Sequence, residues 1–177
     1  MESNFAFLND QFPVLGNFGE LAEKYLYSDC NSCLMKLGMI GETIVNLMFT
    51  YDQIPLPREN TAVKRIDVLL REGMITRDLS DILHALRKIR NKAVHENYSS
   101  VEKGKALLQM AHSLSEWFMQ TYGDWDYQSH LFVMPSENPE SVTDDKENEQ
   151  VKEEKLLKDA SIAAEAAPVV ARDERKR

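Results

Sequence analysis

The sequence predicts an all-α protein, a bundle of about five helices over residues 1–135 followed by a charged tail over 136–177. Three observations predict it. Apolar residues recur at helical spacing in successive segments. Those segments begin at Asn, Ser or Thr, and three of them end at Gly or Pro. No alternating apolar and polar run competes, apart from the short HLFVMP at 130–135, the one candidate strand.

Each helix has its own signals. NFGELAEKYLY at 17–27 starts on a plausible Asn cap and places Phe18, Leu21, Ala22 and Tyr25 on one face, after a bent N-terminal segment. Asn31 or Ser32 can cap a second helix to about Tyr51, with Leu34, Leu37, Ile44, Val45 and Met48 on its apolar face, and IPLP at 54–57 stops it. Gly38 and Gly41 fall on that same face, where they remove bulk, so another helix approaches closely there or a pocket opens.

Thr61 caps AVKRIDVLLREG, whose stripe is Val63, Ile66, Leu69 and Leu70 and whose Gly73 suits a helix C-terminus. Thr76 caps a fourth helix with Leu79, Ile82, Leu83, Leu86, Ile89 and Ala93 on one face. Ser99 or Ser100, with Glu102, starts a fifth that runs to about Tyr122 and ends at Gly123. Its expected core residues are Ala106, Leu107, Met110, Leu114, Trp117 and Phe118. From Ser136 the chain is rich in charge and alanine and should not pack into the core, although about 147–167 can form a solvated helix through its i, i+3 and i, i+4 ion pairs.

Composition narrows the function classes. The N-terminus lacks a basic segment followed by an apolar run, and no stretch reaches about 18 uninterrupted apolar residues, so a soluble cytoplasmic protein without a membrane partner is expected. Cys30 and Cys33 are too few for a disulfide scaffold. Their CxxC spacing has neither the βαβ context of a redox site nor a second CxxC for zinc, and it reads as two small residues at a helix start. His84, His112 and His130 lack metal-site neighbours and read as surface or core polar residues. No Gly-rich phosphate loop, GxSxG or paired-carboxylate motif is present.

The net charge is -8, but it is unevenly placed. Residues 58–105 carry 11 basic and 7 acidic side chains, while the segments on either side are all net acidic. LRKIRNKAVHENYSS at 86–100 lies within that basic segment. With Leu79 at zero and about 100° per residue, the apolar face spans an arc from roughly 280° through zero to 40°, and Arg90 falls inside it at about 20°. A guanidinium on a buried stripe must reach a carboxylate, extend to solvent at the bundle end, or face a cleft made for an anion. Glu42, at the edge of the second helix's apolar face, is the candidate carboxylate.

His95 lies five residues further, about 140° away on a straight helix, so the two side chains converge only if the helix breaks between them. ENYSS has helix-ending character, and Asn91 or Asn97 can hold the exit turn. Arg90 and His95 would then share one mouth of the bundle with Asn91 between them and Lys88 and Lys92 outside. A basic last turn that complements the helix dipole is the plainer reading. If the pair is catalytic, phosphodiester cleavage suits it: histidine moves protons near neutrality and arginine stabilises phosphoryl charge, with no metal or other cofactor required.

Arg90-Asn91-Lys92-Ala93-Val94-His95 resembles the RNxxxH form of the Arg-x4-6-His motif of HEPN domains, which are small helical bundles. SNFAFL at 3–8, MQTYG at 119–123 and RNKAVHE at 90–96 together resemble the HEPN-like domain at the N-terminus of certain type I restriction enzyme R subunits. The resemblance covers about residues 3–135, and no helicase or nuclease motif follows. It implies a metal-independent endoribonuclease of phage-defence or toxin-antitoxin systems, dimeric, with two motifs facing each other over RNA. His95 would be the general acid/base, Arg90 the phosphate-stabilising group and Asn91 the orienting residue. Lys88 and Lys92 would hold RNA, and Glu42 would support Arg90. Many HEPN domains only bind RNA, nucleotides or protein, so the alternative is a noncatalytic module that engages a restriction or antitoxin partner. The acidic tail is expected to mask the basic face.

Overall fold

The computed structural model describes residues 2–124 and 126–137. The expected helix near 147–167, and most of the expected tail, lie outside the described residues. Within them the protein is all-helical. A single 3-10 turn, Ala6–Leu8, precedes α1 (Pro13–Tyr25), α2 (Cys30–Tyr51), α3 (Ala62–Arg71), α4 (Arg77–Glu96) and α5 (Val101–Tyr122).

Local chemistry accounts for most of the helix ends. The side chains of Thr61, Thr76 and Ser100 accept hydrogen bonds from the backbone N–H groups of Lys64, Leu79 and Lys103, three residues on in each case. Each satisfies one of the orphan donors of a first turn. Gly73, at φ +69°, closes α3, with its own N–H donating to Leu70 O and the N–H of Met74 to Leu69 O. That pair of bonds is the Schellman arrangement, and the left-handed conformation it needs costs glycine nothing.

Two starts differ from the sequence expectation. α1 begins at Pro13 rather than near Asn17, because proline at the first helical position brings a fixed φ and lacks only an N–H that would have no partner. α2 is capped by Asp29 rather than Asn31 or Ser32: its carboxylate accepts from both the N–H and the hydroxyl of Ser32. Asn31 instead turns inward to a task described below.

α2 is the central element and packs against all four other helices. By length and composition it could cross a membrane, but more than half of it is buried inside the bundle, as befits a core helix. Leu34, Leu37, Ile40, Ile44 and Met48 are fully buried along it. Cys30 and Cys33 are free and buried, with their sulfurs facing Gly104 of α5. Burial, then the neighbouring Cys30 and Asp29, push the Cys33 thiol up, so it is a packing residue and not a thiolate.

The buried face of α5 is rotated from the expected one. Ala106 and Met110 are exposed, whereas Leu108, Ala111, His112 and Ser115 are buried. The cause is the N-terminal segment, which lays Phe5 and Phe7 edge-on against the His112 ring at 5.6 and 5.7 Å. His112 Nδ1 lies 3.7 Å from Glu116 Oε2. Net burial lowers its pKa although Glu116 and Glu23 pull the other way.

Residues 130–135 form no strand. A lone extended segment has no neighbour to ladder with, and here the amide of Asn4 takes that place. Asn4 Nδ2 donates to Val133 O and the Val133 N–H donates to Asn4 Oδ1, both at 2.8 Å. Glu23 fixes the amide by accepting from the Asn4 side chain and backbone N–H, and the Tyr27 hydroxyl donates to Pro135 O at 2.9 Å.

Candidate functional site

The α2 and α4 helices meet where α2 has no side chain. A Cβ built on Gly38 would lie 2.2 Å from Arg90 Cβ and 2.8 Å from its Cδ, so the arginine stem occupies the volume a side chain at 38 would need. One turn on, Gly41 lies under Leu86, whose Cδ1 would be 3.3 Å from a Cβ there. Both alternatives open to these glycines are realised together, a close helix approach and, beside it, a cleft.

Arg90 ends in an ion pair, its Nη1 3.0 Å from Glu42 Oε2. The two side chains are 38% and 46% exposed, which makes the pair a positioning contact worth at most about 1 kcal/mol. The arginine on the apolar stripe is thus accommodated in two ways, with its methylenes packed on the glycine and its head at the edge of solvent.

α4 does not break between Arg90 and His95. It continues to Glu96, because the exit turn forms only at Asn97, at φ 49° and ψ 38°. Left-handed geometry is tolerated by asparagine better than by most residues. The N–H groups of Asn97 and Tyr98 both point back to Lys92 O. Asn31 completes the stop from α2: its Nδ2 donates to Ala93 O and to Tyr98 O, each at 2.9 Å. On a continuous helix Arg90 and His95 are separated by about 7.5 Å along the axis and about 140° around it. The expected convergence within one chain therefore does not occur, and His95, exposed in the last turn, projects from a different side than Arg90.

The remaining motif residues are at the surface. Lys88, Asn91 and Lys92 are exposed, and Lys92 Nζ lies 5.6 Å from the centre of the Tyr98 ring. Val94, between Asn91 and His95, is 52% exposed, an apolar residue on an otherwise polar turn. No group of three or more metal-ligating side chains occurs among the described residues.

The cleft beside Arg90 has a volume of about 320 Å³ and is walled by α2, the start of α3 and α4. Its charged lining is Arg65, Arg87 and Arg90 against the single carboxylate of Glu42. Asn91 is at its edge. Arg65 is oriented by the side-chain oxygens of Asn46 and Asn60, accepting from Nη1 and Nε respectively. The Nε of Arg87 is buried and has no hydrogen-bond acceptor among the described residues. Arg65 and Arg87 were not marked by any local pattern. Their convergence depends on α3 folding back onto α4, a tertiary contact 22 residues apart in sequence.

The chain is 28% identical over 179 residues to the type I restriction enzyme EcoKI endonuclease subunit of Escherichia coli strain K12; the alignment covers 96% of this chain and 15% of that subunit. No solved structure matches it. The model of a domain family of unknown function, DUF4145, matches residues 20–158, from within α1 to beyond the described bundle, more than half of the chain. By that match, the protein belongs to the DUF4145 family.

Proposed function

We propose that the chain is a HEPN-type module of a restriction or phage-defence system that acts on RNA through Arg90 and His95, in two copies. The observation that carries the reading is the end of α4: a basic helix terminus that exposes Lys88, Asn91, Lys92 and His95 together, with Arg90 anchored beside them. Because Arg90 and His95 diverge on one helix, this reading requires a dimer, in which the symmetry mate completes the site. In that arrangement His95 of one copy moves the proton and Arg90 steadies the phosphate, with Asn91 orienting the nucleotide. Similarity to a restriction endonuclease subunit supports the defence setting, a cytoplasmic location and a protein partner there. Residues 1–135 serve as the module and the acidic residues after 136 compete with RNA for its basic face.

The test is incubation of the full chain with total RNA in EDTA. Cleavage leaving 2′,3′-cyclic phosphate ends, abolished in His95→Ala with helical circular dichroism unchanged, is the expected result. The Arg90–Glu42 pair and the divergence of His95 favour a purely structural role for Arg90, which fits a second reading, a noncatalytic module that binds nucleic acid or a partner protein. Under it the wild type cuts nothing, while His95→Ala and Lys92→Ala still weaken binding.

A further inference from the structure

We propose that the cleft between α2, α3 and α4 binds a phosphomonoester. Three guanidinium groups against one carboxylate leave an excess of two positive charges in a confined space. That excess matches the dianion of a phosphomonoester and exceeds the single charge of a phosphodiester.

The donors are built for an anion. A guanidinium keeps its proton at any ordinary pH, so the buried Arg87 Nε stays a donor, and a buried donor without an acceptor costs about 1–3 kcal/mol. An oxyanion in the cleft meets the Arg87 guanidinium through its charge, because the Nε atom itself has no open surface for an acceptor to reach. Arg65 and Arg90 are already held, by Asn46, Asn60 and Glu42, so little rotamer freedom is lost on binding. Thr61, Ala62 and Val63, at the N-terminal end of α3, also line the cleft, and the helix dipole there has the right sign.

The volume says more about the ligand. About 320 Å³ is at the lower end for small-molecule pockets and larger than a phosphate alone needs. Val45, Ile66 and Leu83 provide apolar wall for the group that carries the phosphate. Two sources share this chemistry: a free nucleotide and the phosphorylated end of a nucleic acid strand. The cleft shares Arg90 and Asn91 with the RNA-cleaving reading and extends it to Arg65 and Arg87, which have no part in that reaction, so variants of these two separate the failure of one reading from that of the other.

Calorimetry on the full chain separates the possibilities. The probes are adenosine, adenosine 5′-monophosphate, and one hexaribonucleotide with either a 5′-hydroxyl or a 5′-phosphate. Each phosphorylated probe is expected to bind at least tenfold tighter than its unphosphorylated counterpart. Arg87→Gln and, independently, Arg65→Gln are each expected to weaken that binding about tenfold, with helical circular dichroism unchanged. A 5′-phosphorylated strand that binds more tightly than the mononucleotide identifies the strand end as the source; equal affinities identify the free nucleotide. Phosphorylated probes that bind no better than their counterparts would overturn the proposal, as would wild-type affinity in the two arginine variants. Arg65 is not buried, so its variant keeps the test valid if Arg87→Gln unfolds.

Discussion

Gly38→Ala tests the packing that places Arg90. Alanine is the better helix former by about 0.8–1 kcal/mol, so by propensity alone the substitution would stabilise α2. The structure sets the opposite sign. The new Cβ would sit 2.2 Å from Arg90 Cβ, 2.8 Å from Cδ and 2.9 Å from Cγ. The outer stem can swing away, but the Arg90 Cβ moves only with the α4 backbone. Restoring ordinary carbon contact near 3.5–4.0 Å parts the helices locally by more than about 1 Å. Overpacking of this kind costs about 1–3 kcal/mol, and a backbone-level clash belongs in the upper part of that range. After the propensity gain, a net loss of about 1–2 kcal/mol is expected, read as a lower urea midpoint with an unchanged m-value. Arg90→Gly in the same background removes the opposing Cβ, so the double variant should be more stable than the sum of the single effects by at least about 1 kcal/mol. A Gly38→Ala protein more stable than wild type would refute the close approach, and strict additivity would refute the assignment to Arg90.

Two further expectations concern stability. His84 and His112 both have pKa values lowered chiefly by burial, with Arg87 adding to the effect at His84. Lowered histidines favour the neutral form in the fold, so their contribution is complete above their unfolded value near 6.5 and is lost as the pH falls below it. The thermal midpoint should therefore drop between pH 7.5 and 5, less steeply in His112→Gln; a midpoint that rises would mean that Glu116 outweighs burial. Asn31→Ala removes both side-chain donations to Ala93 O and Tyr98 O. It should cost about 1–2 kcal/mol and speed amide exchange across 93–98, and unchanged exchange there would show that Asn97 alone stops α4.

Most of the helical framework was legible because its signals are local. Thr61, Gly73, Thr76 and Ser100 act on residues no more than four positions away, and each does in the structure what its position suggested. α1 was misplaced at its start because Pro13 marks a helix without a side-chain cap. The rotation of α5 depends on Phe5 and Phe7, which arrive from the far end of the chain. The same division applies to the site. An arginine on an apolar stripe and two glycines on the second helix's apolar face were legible as a close approach or a pocket, with Glu42 as the candidate carboxylate, but not as a contact with each other. The expected helix break was not found, since ENYSS ends α4 one residue after His95 rather than before it. Arg65 and Arg87 gave no signal and Asn31 signalled only a helix start, because their partners are brought to them by packing, not by spacing.

The amide of Asn4, paired with the backbone of Val133, ties the start of the bundle to its last described residues. Between those two points lie all five helices. Tension applied through the chain on either side of the bundle would meet the Tyr27 contact to Pro135 first on the C-terminal side, with these two hydrogen bonds immediately behind it. While they hold, the helices are bypassed mechanically and feel no load. The clasp is then the weakest link by position rather than by chemistry, and it would open at low force before the α2 core begins to unfold.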